Sequence, residues 1–276
     1  MNRIQVMVNG IPGNMAVIVA EHILAEESFE LIPHALTGPE IQETEFNIGE
    51  IVVELHHPDK REAAVADIKK IYGEFLSVDY SHPSAVNDNA VFYSKEALPF
   101  VMGTTGGDRQ LLEDTVRSSS ISAVIAPNMA KQIVGFQAMM EYAAVNFPNL
   151  FNQYCLEIKE SHQQAKADTS GTAKAMVRYF NKLGLSFAEA DILKERNPDA
   201  QKSKWGIPER YLGGHAWHTY VLTSEDGTVR FEFSHNVNGR EIYAKGTLDA
   251  LQYLNQKVIR GEKGKIFTMI DVLKGG

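Results

Sequence analysis

The chain has 276 residues, 44% apolar and 22% charged, with a formal net charge of -8. That length is comfortable for two domains, each able to bury its own core. The acidic balance, with no basic block, argues against nucleic acid or an anionic membrane as a partner, and no apolar run reaches the roughly 18–20 residues that span a bilayer.

The single cysteine, Cys155, excludes an internal disulfide framework and a multi-cysteine zinc cluster. Among strand-like neighbours it reads as a buried, inert thiol. The start, Met1-Asn2-Arg3, runs into a short apolar stretch and a glycine turn, without the h-region or cleavage site of a signal peptide, so the expected location is cytoplasmic.

In chain order, Ile4–Asn9 reads as a buried strand ending at Gly10, followed by apolar residues at helical spacing from Met15 to Leu24. Strands are expected over Phe29–Leu36, Ile51–His56, Phe75–Tyr80, Pro99–Met102 and Ser122–Ala126, with helices over Lys60–Tyr72 and Arg109–Arg117. Such alternation implies βαβ units and a parallel sheet covered on both faces. The second half differs. A helix over Gln132–Val145 precedes a half-buried strand, Tyr154–Glu160, and a helix over Thr172–Leu183 that stops at Gly184. Trp217–Leu222 and Val229–Phe233 flank the hairpin signal Glu225-Asp226-Gly227, with a third strand expected at Ile242–Ala244. This block is α+β. A helix over Leu248–Val258 and a strand-like Phe267–Leu273 close the chain, with a return to the first domain left open.

Gly10-Ile11-Pro12-Gly13-Asn14-Met15-Ala16 is a variant of the G-x-G-x-x-G fingerprint, placed directly between the first strand and first helix. A dinucleotide needs no side chain where the backbone approaches its pyrophosphate, and a helix N-terminus facing the anion. A plain tight turn is the alternative. The second strand ends His34-Ala35-Leu36-Thr37-Gly38, without the carboxylate that grips an NAD ribose. Thr37 is a candidate partner for a 2′-phosphate, no arginine is near to clamp that phosphate, and NADPH is favoured over NADH. Gly103-Thr104-Thr105 and Ala126-Pro127-Asn128, at the ends of two further strands, suit a nicotinamide and its ribose; either alone reads equally as an ordinary turn.

The richest segment runs from Glu160 to Ala173. Ser170 is a natural N-cap, and Ser170, Gly171 and Thr172 gather hydroxyls and free amides that can receive a carboxylate. Lys166 adds positive charge, and His162 a proton donor titrating near neutrality. Singly, each has a bland role as cap, solvated lysine or surface histidine. His56-His57 and the pair His215 and His218 lack an accompanying carboxylate or cysteine constellation and read as structural, so no metal is expected. Arg240 stands in a polar turn and reads equally as a surface residue or as one that reaches a ligand.

These motifs, together with Val78-Asp79-Tyr80-Ser81-His82-Pro83 and Phe233–Gly246, resemble the dihydrodipicolinate (4-hydroxy-tetrahydrodipicolinate) reductases of lysine and diaminopimelate biosynthesis, in their plant-like branch. Gln163 and Thr169 stand where the bacterial pattern has a second histidine and a proline. The resemblance implies an α/β fold, with an N-terminal Rossmann dinucleotide-binding domain over 1–129 and 246–276. Residues 130–245 would form an α+β substrate-binding and oligomerisation domain with an open mixed sheet. It further implies a homo-oligomer, dimer or tetramer, a small cyclic dicarboxylate as substrate, and catalytic roles for His162 and Lys166. The rival readings are another two-domain nicotinamide dehydrogenase, acting on an amino acid or sugar, and a non-catalytic NADP-binding sensor.

Overall fold

A computed structural model of the chain describes residues 3–275. Two compact units divide it: one takes the chain up to Lys131 and again from Glu241, the other is Gln132–Arg240.

The first unit begins with β1 (Ile4–Asn9), α1 (Asn14–Ala25), β2 (Phe29–Leu31), β3 (His34–Leu36), β4 (Glu45–Ile48), β5 (Ile51–His56) and α2 (Arg61–Tyr72). It continues through β6 (Leu76–Asp79), α3 (Val86–Lys95), β7 (Phe100–Met102), α4 (Arg109–Arg117) and β8 (Ala123–Ile125). The second unit comprises α5 (Lys131–Asn146), β9 (Tyr154–His162), α6 (Gly171–Lys182), β10 (Leu193–Glu195), α7 (Pro198–Ser203), β11 (His215–Ser224) and β12 (Arg230–Asn238). The chain then returns to the first unit as α8 (Glu241–Ile259), β13 (Ile266–Phe267) and α9 (Met269–Gly275).

Six strands of the first unit form a parallel sheet in the order β13-β8-β7-β6-β1-β2. Every residue of β6, β7 and β8 is buried, as expected of short apolar strands covered on both faces. Helix α1 buries Ala16, Val19, Ala20 and Ile23, one stripe at helical spacing, and packs against α8. From β1 the chain passes to β2 on one side and later to β6 on the other, so the strand order reverses at β1. In open α/β sheets ligands bind at the carboxyl ends of the strands beside such a point. A separate three-stranded sheet, β3-β5-β4, accompanies the large one.

The second unit is built on a mixed sheet, β10-β9-β11-β12, with β10 parallel to β9 and the other pairs antiparallel. One face packs Ile158, Tyr220 and Leu222 against Met176, Val177 and Phe180 of α6. Alternation carries that same face onward along β9 from Ile158 to Glu160 and His162. The core therefore turns polar toward the end of the strand, close to where α6 begins.

Four sequence expectations change. The strand expected over Phe29–Leu36 breaks at Pro33, which has no N–H for a ladder: β2 joins the large sheet and β3 the small one. Ile242–Ala244 opens α8 instead of forming a hairpin strand, because Ala244, Leu248 and Leu251 continue one buried helical stripe, and the place beside β11 belongs to β9. Of the last expected strand, Phe267–Leu273, only Phe267 pairs with β8, joined by Ile266 just before it. Thr268 then accepts from Asp271 N–H while the Asp271 carboxylate accepts from Thr268 N–H at 2.7 Å, a capping box that starts α9. Cys155 is exposed, since it occupies the face of β9 opposite Leu156 and Ile158.

Candidate active site

In the first unit, the expected cofactor residues lie in the turns that follow β1, β7 and β8 of the parallel sheet and β3 of the small one. Gly10 has φ +98°, a conformation that favours glycine, and a Cβ there would overlap the Tyr80 carbonyl. A Cβ on Gly103 would overlap the Tyr80 ring. Both glycines thus make room for Tyr80, whose hydroxyl bonds Thr247 Oγ1 at 2.6 Å and whose burial pushes its pKa up to about 12. Gly13 N–H closes on Gly10 O at 2.8 Å, and Gly13 caps α1 without a side-chain bond. The amides of Asn14 and Met15 at that helix start suit a pyrophosphate.

Other expected contacts are already committed. The Thr37 hydroxyl donates to Ile11 O at 2.8 Å, so its proton is not free for a phosphate. Thr104 donates to buried Asp79 at 2.6 Å, and Asp79 also accepts from Ser81, Asn89 and Tyr93. Thr104 is therefore part of the scaffold under the β7 turn. Thr105 and Pro127 are exposed, and Asn128 Oδ1 accepts from Ala130 N–H.

A cleft of about 910 Å³ opens at the β1/β6 point, lined by Gly10, Gly13 and Thr37 together with Ser81, His82, His56 and Arg61. Arg61 is a correction to the reading that no arginine is near: it starts α2, more than twenty residues after Thr37, and folding of β5 beside β3 delivers it. Its guanidinium rests 4.4 Å over the Phe92 ring. His56 is corrected too, since Glu54 and His34 flank it.

The second unit assembles the other set. Ser170 is buried, and its Oγ caps α6 by accepting from Thr172 N–H at 3.1 Å and Ala173 N–H at 3.4 Å. Its own N–H goes to Glu160 Oε2 at 3.1 Å, and its Oγ meets His218 Nε2 at 3.1 Å. Ser170 is thus consumed by capping. Gly171 is exposed with open space at its Cα, and Thr172 stands beside it. The receptor offered to an anion narrows to the Gly171 amide, the Thr172 hydroxyl and Lys166. The Lys166 ammonium donates to Asp168 Oδ1 at 2.9 Å, a pairing that holds the Asp168 carboxyl below the usual range. An incoming carboxylate can take the place of Asp168.

Glu160 is completely buried and binds Arg196 Nη2 in an ion pair. Arg196 also donates to Lys166 O at 2.6 Å and Asp168 O at 3.3 Å, so this pair pins the backbone that carries Lys166. The sequence reading missed both partners. Glu160 was visible from parity, sharing the face of Leu156 and Ile158; Arg196, 36 residues on, left no local signal.

His162 is buried and packs edge-to-face on His218 at 5.1 Å, with His235 stacked behind at 4.6 Å. Desolvation lowers the His162 pKa to about 3, with Arg196, Lys166 and His215 adding to it. The expectation of a group titrating near neutrality is therefore corrected: the imidazole is neutral at physiological pH. Desolvation also depresses His218 far below its usual value and His235 to about 4. Among the described residues, the buried Nδ1 atoms of all three find no hydrogen-bond partner. His215 is structural, bonded to Ser161 Oγ and Tyr211 O.

Two family models match almost end to end: dihydrodipicolinate reductase, N-terminus, over residues 4–129, and its C-terminus over 133–273. The chain belongs to the dihydrodipicolinate reductase family. It is 45% identical over 271 residues to a probable 4-hydroxy-tetrahydrodipicolinate reductase 1, chloroplastic, of Oryza sativa subsp. japonica, covering 98% of this chain and 79% of that one. It is 47% identical over 279 residues to 4-hydroxy-tetrahydrodipicolinate reductase 2, chloroplastic, of Arabidopsis thaliana, covering 100% and 78%. A dipicolinate-bound dihydrodipicolinate reductase from Paenisporosarcina sp. TG-14 shares the fold, with a TM-score of 0.68 at 18% identity over 98% of this chain and 99% of that one. The family membership makes the chain a reductase of the plant-like branch, working with a reduced nicotinamide dinucleotide, and sets aside both rival readings. It also overturns the cytoplasmic expectation: four plant relatives at 44–47% identity are named chloroplastic. An apolar fraction of 44% and a charge of -8 suit any aqueous compartment, so composition could not tell them apart.

Proposed function

We propose that this chain reduces 4-hydroxy-tetrahydrodipicolinate to tetrahydrodipicolinate, the lysine and diaminopimelate route step that its relatives' names describe, with NADPH preferred over NADH. What supports the reading is the open, capped start of α6 at Gly171 and Thr172, preceded by the Lys166–Asp168 pair, within a family match covering both units. The first unit is the dinucleotide-binding domain, with Gly10, Gly13, Asn14 and Met15 on the pyrophosphate. Gly103, Thr104, Thr105, Ala126, Pro127 and Asn128 shape the edge for the nicotinamide half. Bound there, the reduced nicotinamide supplies the hydride.

The second unit binds the cyclic dicarboxylate. One carboxylate sits on Gly171 N–H and Thr172 Oγ1, with Ser170 holding the helix start in shape. The 4-hydroxyl departs as water to leave the conjugated imine; Lys166 leaves Asp168 for the substrate and brings the positive charge that draws electrons from that imine as hydride adds to the ring and a proton completes the reduction. His162, neutral, serves as a hydrogen-bonding wall beside the ring, and Lys166 takes over the proton-donating role first assigned to it. A homo-oligomer, dimer or tetramer, formed through the second unit completes the proposal; Met139, Tyr142 and Val145 make an exposed apolar stripe on α5 that favours it.

The test is NAD(P)H consumption in a coupled assay fed by pyruvate, aspartate semialdehyde and the preceding synthase. Lys166→Ala should lower turnover by about 10²- to 10³-fold while nucleotide affinity stays put, and Thr172→Ala should weaken inhibition by pyridine-2,6-dicarboxylate about tenfold. Unchanged turnover in folded Lys166→Ala would remove Lys166 from the mechanism.

NADPH preference rests on Arg61, which lines the cleft beyond Thr37. A guanidinium paired with a 2′-phosphate is a strong, charge-assisted contact. Arg61→Ala should cut the NADPH-to-NADH ratio of kcat/KM by about 10- to 100-fold; an unaltered ratio would assign the preference elsewhere.

A further inference from the structure

On the small sheet, β3 and β5 run parallel with His34 opposite Glu54 and Leu36 opposite His56. Alternation along β5 buries Val53 and Leu55 and turns Glu54 and His56 to the other face, where His34 joins them. His34 Nδ1 stands 3.0 Å from His56 Nε2 and 3.4 Å from Glu54 Oε2. One ligand atom from each of the three residues falls within 4.8 Å of the others.

The geometry points to a binding site for a divalent transition-metal ion, of the zinc class, held by His34 Nδ1, His56 Nε2 and the Glu54 carboxylate. Zinc bonds of roughly 2.0–2.1 Å at tetrahedral angles place neighbouring donors about 3.3 Å apart. The observed 3.0 and 3.4 Å straddle that spacing, and with all three donor atoms within 4.8 Å of one another, closure draws the exposed Glu54 carboxylate in toward the two rings. Two imidazoles and a carboxylate are a donor set suited to zinc, cobalt or nickel rather than calcium or magnesium. The paired ladder over buried residues fixes the three backbones and keeps the three side chains on one face, so the cluster is assembled before an ion arrives. Glu54 is 58% exposed at its side chain, which gives the ion a way in and leaves room for water as the remaining ligand. The second candidate cluster, Glu160 with His162 and His218, is different: Arg196 already neutralises its carboxylate.

His56 also lines the cleft that holds Thr37 and Arg61. An ion on His56 Nε2 would set that ring's position at the wall of the dinucleotide site. The site itself stands independently of the reductase assignment, and its test uses neither substrate nor nucleotide.

Cobalt(II) titrated into the full-length apoprotein should give a visible d–d absorption that saturates at one ion per chain and is displaced by zinc. His34→Ala and Glu54→Ala should each weaken binding by at least about tenfold, and His22→Ala, on α1 and outside the cluster, should leave it unchanged. In the unaltered protein, zinc should shift the histidine ring ¹⁵N resonances of His34 and His56 ahead of those of His162 and His218. A featureless cobalt titration, cobalt binding that survives both variants, or zinc shifts confined to His162 and His218 would each overturn the assignment.

Discussion

Arg196→Ala is expected to lose on the order of 10 °C in melting temperature and most of the turnover. The reason is the carboxylate it leaves behind. Glu160 is fully buried, and removing one partner of a buried ion pair typically costs about 3–5 kcal/mol, since the remaining charge has no solvent to turn to. For a chain of this size each kcal/mol is worth roughly 2–4 °C. The catalytic loss has a separate cause. Arg196 donates to the carbonyls of Lys166 and Asp168, so its removal frees the loop that aims the Lys166 ammonium. Arg196 is a positioning residue. Arg196→Lys separates the two effects: a point charge can still neutralise Glu160, but cannot fork to both carbonyls. Its melting temperature should return most of the way, while KM for the dicarboxylate rises and kcat stays about tenfold down. Adding Glu160→Gln to Arg196→Ala should recover stability, giving a strongly non-additive cycle. Nucleotide affinity should be unaltered throughout. If Arg196→Ala melts and turns over like the parent, the buried pair has no such role.

What a local reading could see here follows from what is local. Helix α4 falls on Arg109–Arg117 and β5 on Ile51–His56 because one residue period, flanked by turn residues, suffices to define each. The glycine loop could be placed for a similar reason: strand, turn and helix are consecutive. Some misread elements carried legible signals. Thr268 and Asp271 are a capping box three residues apart, and Glu160 sits at the parity of Ile158. The rest depends on contacts between distant residues. Arg61 reaches the Thr37 cleft through the pairing of β5 with β3, and Arg196 reaches Glu160 through that of β10 with β9. Most plainly, the His162 charge state is a property of its surroundings. A histidine beside a lysine in sequence suggests a proton donor near neutrality, whereas burial with a guanidinium alongside makes it a neutral ring.

That neutral ring predicts a steep loss of stability in mild acid. His162, His218 and His235 all have folded-state pKa values depressed below the unfolded value near 6.5, chiefly by desolvation. Above that value neither state binds the proton, and the stability they allow is fully present. As pH falls below it, the unfolded chain takes up protons that the folded chain refuses. Each such histidine then removes about 1.4 kcal/mol per pH unit, down to its folded pKa, about 3 for His162 and about 4 for His235. These three contribute up to about 4 kcal/mol per pH unit, and His56 and His215, lowered in the same direction by burial, add to it, against a total stability of about 5–15 kcal/mol. Urea unfolding at pH about 7 and about 5 should therefore show a large drop, in a window that lies above the ordinary carboxylate range and so belongs to imidazoles. His235→Gln removes one of these protons and should flatten the slope by up to about 1.4 kcal/mol per pH unit. Stability that stays level between those two pH values would mean that the imidazoles admit water or charge without cost, and the picture of a dry, neutral histidine cluster on the β9-β11-β12 sheet would have to be given up.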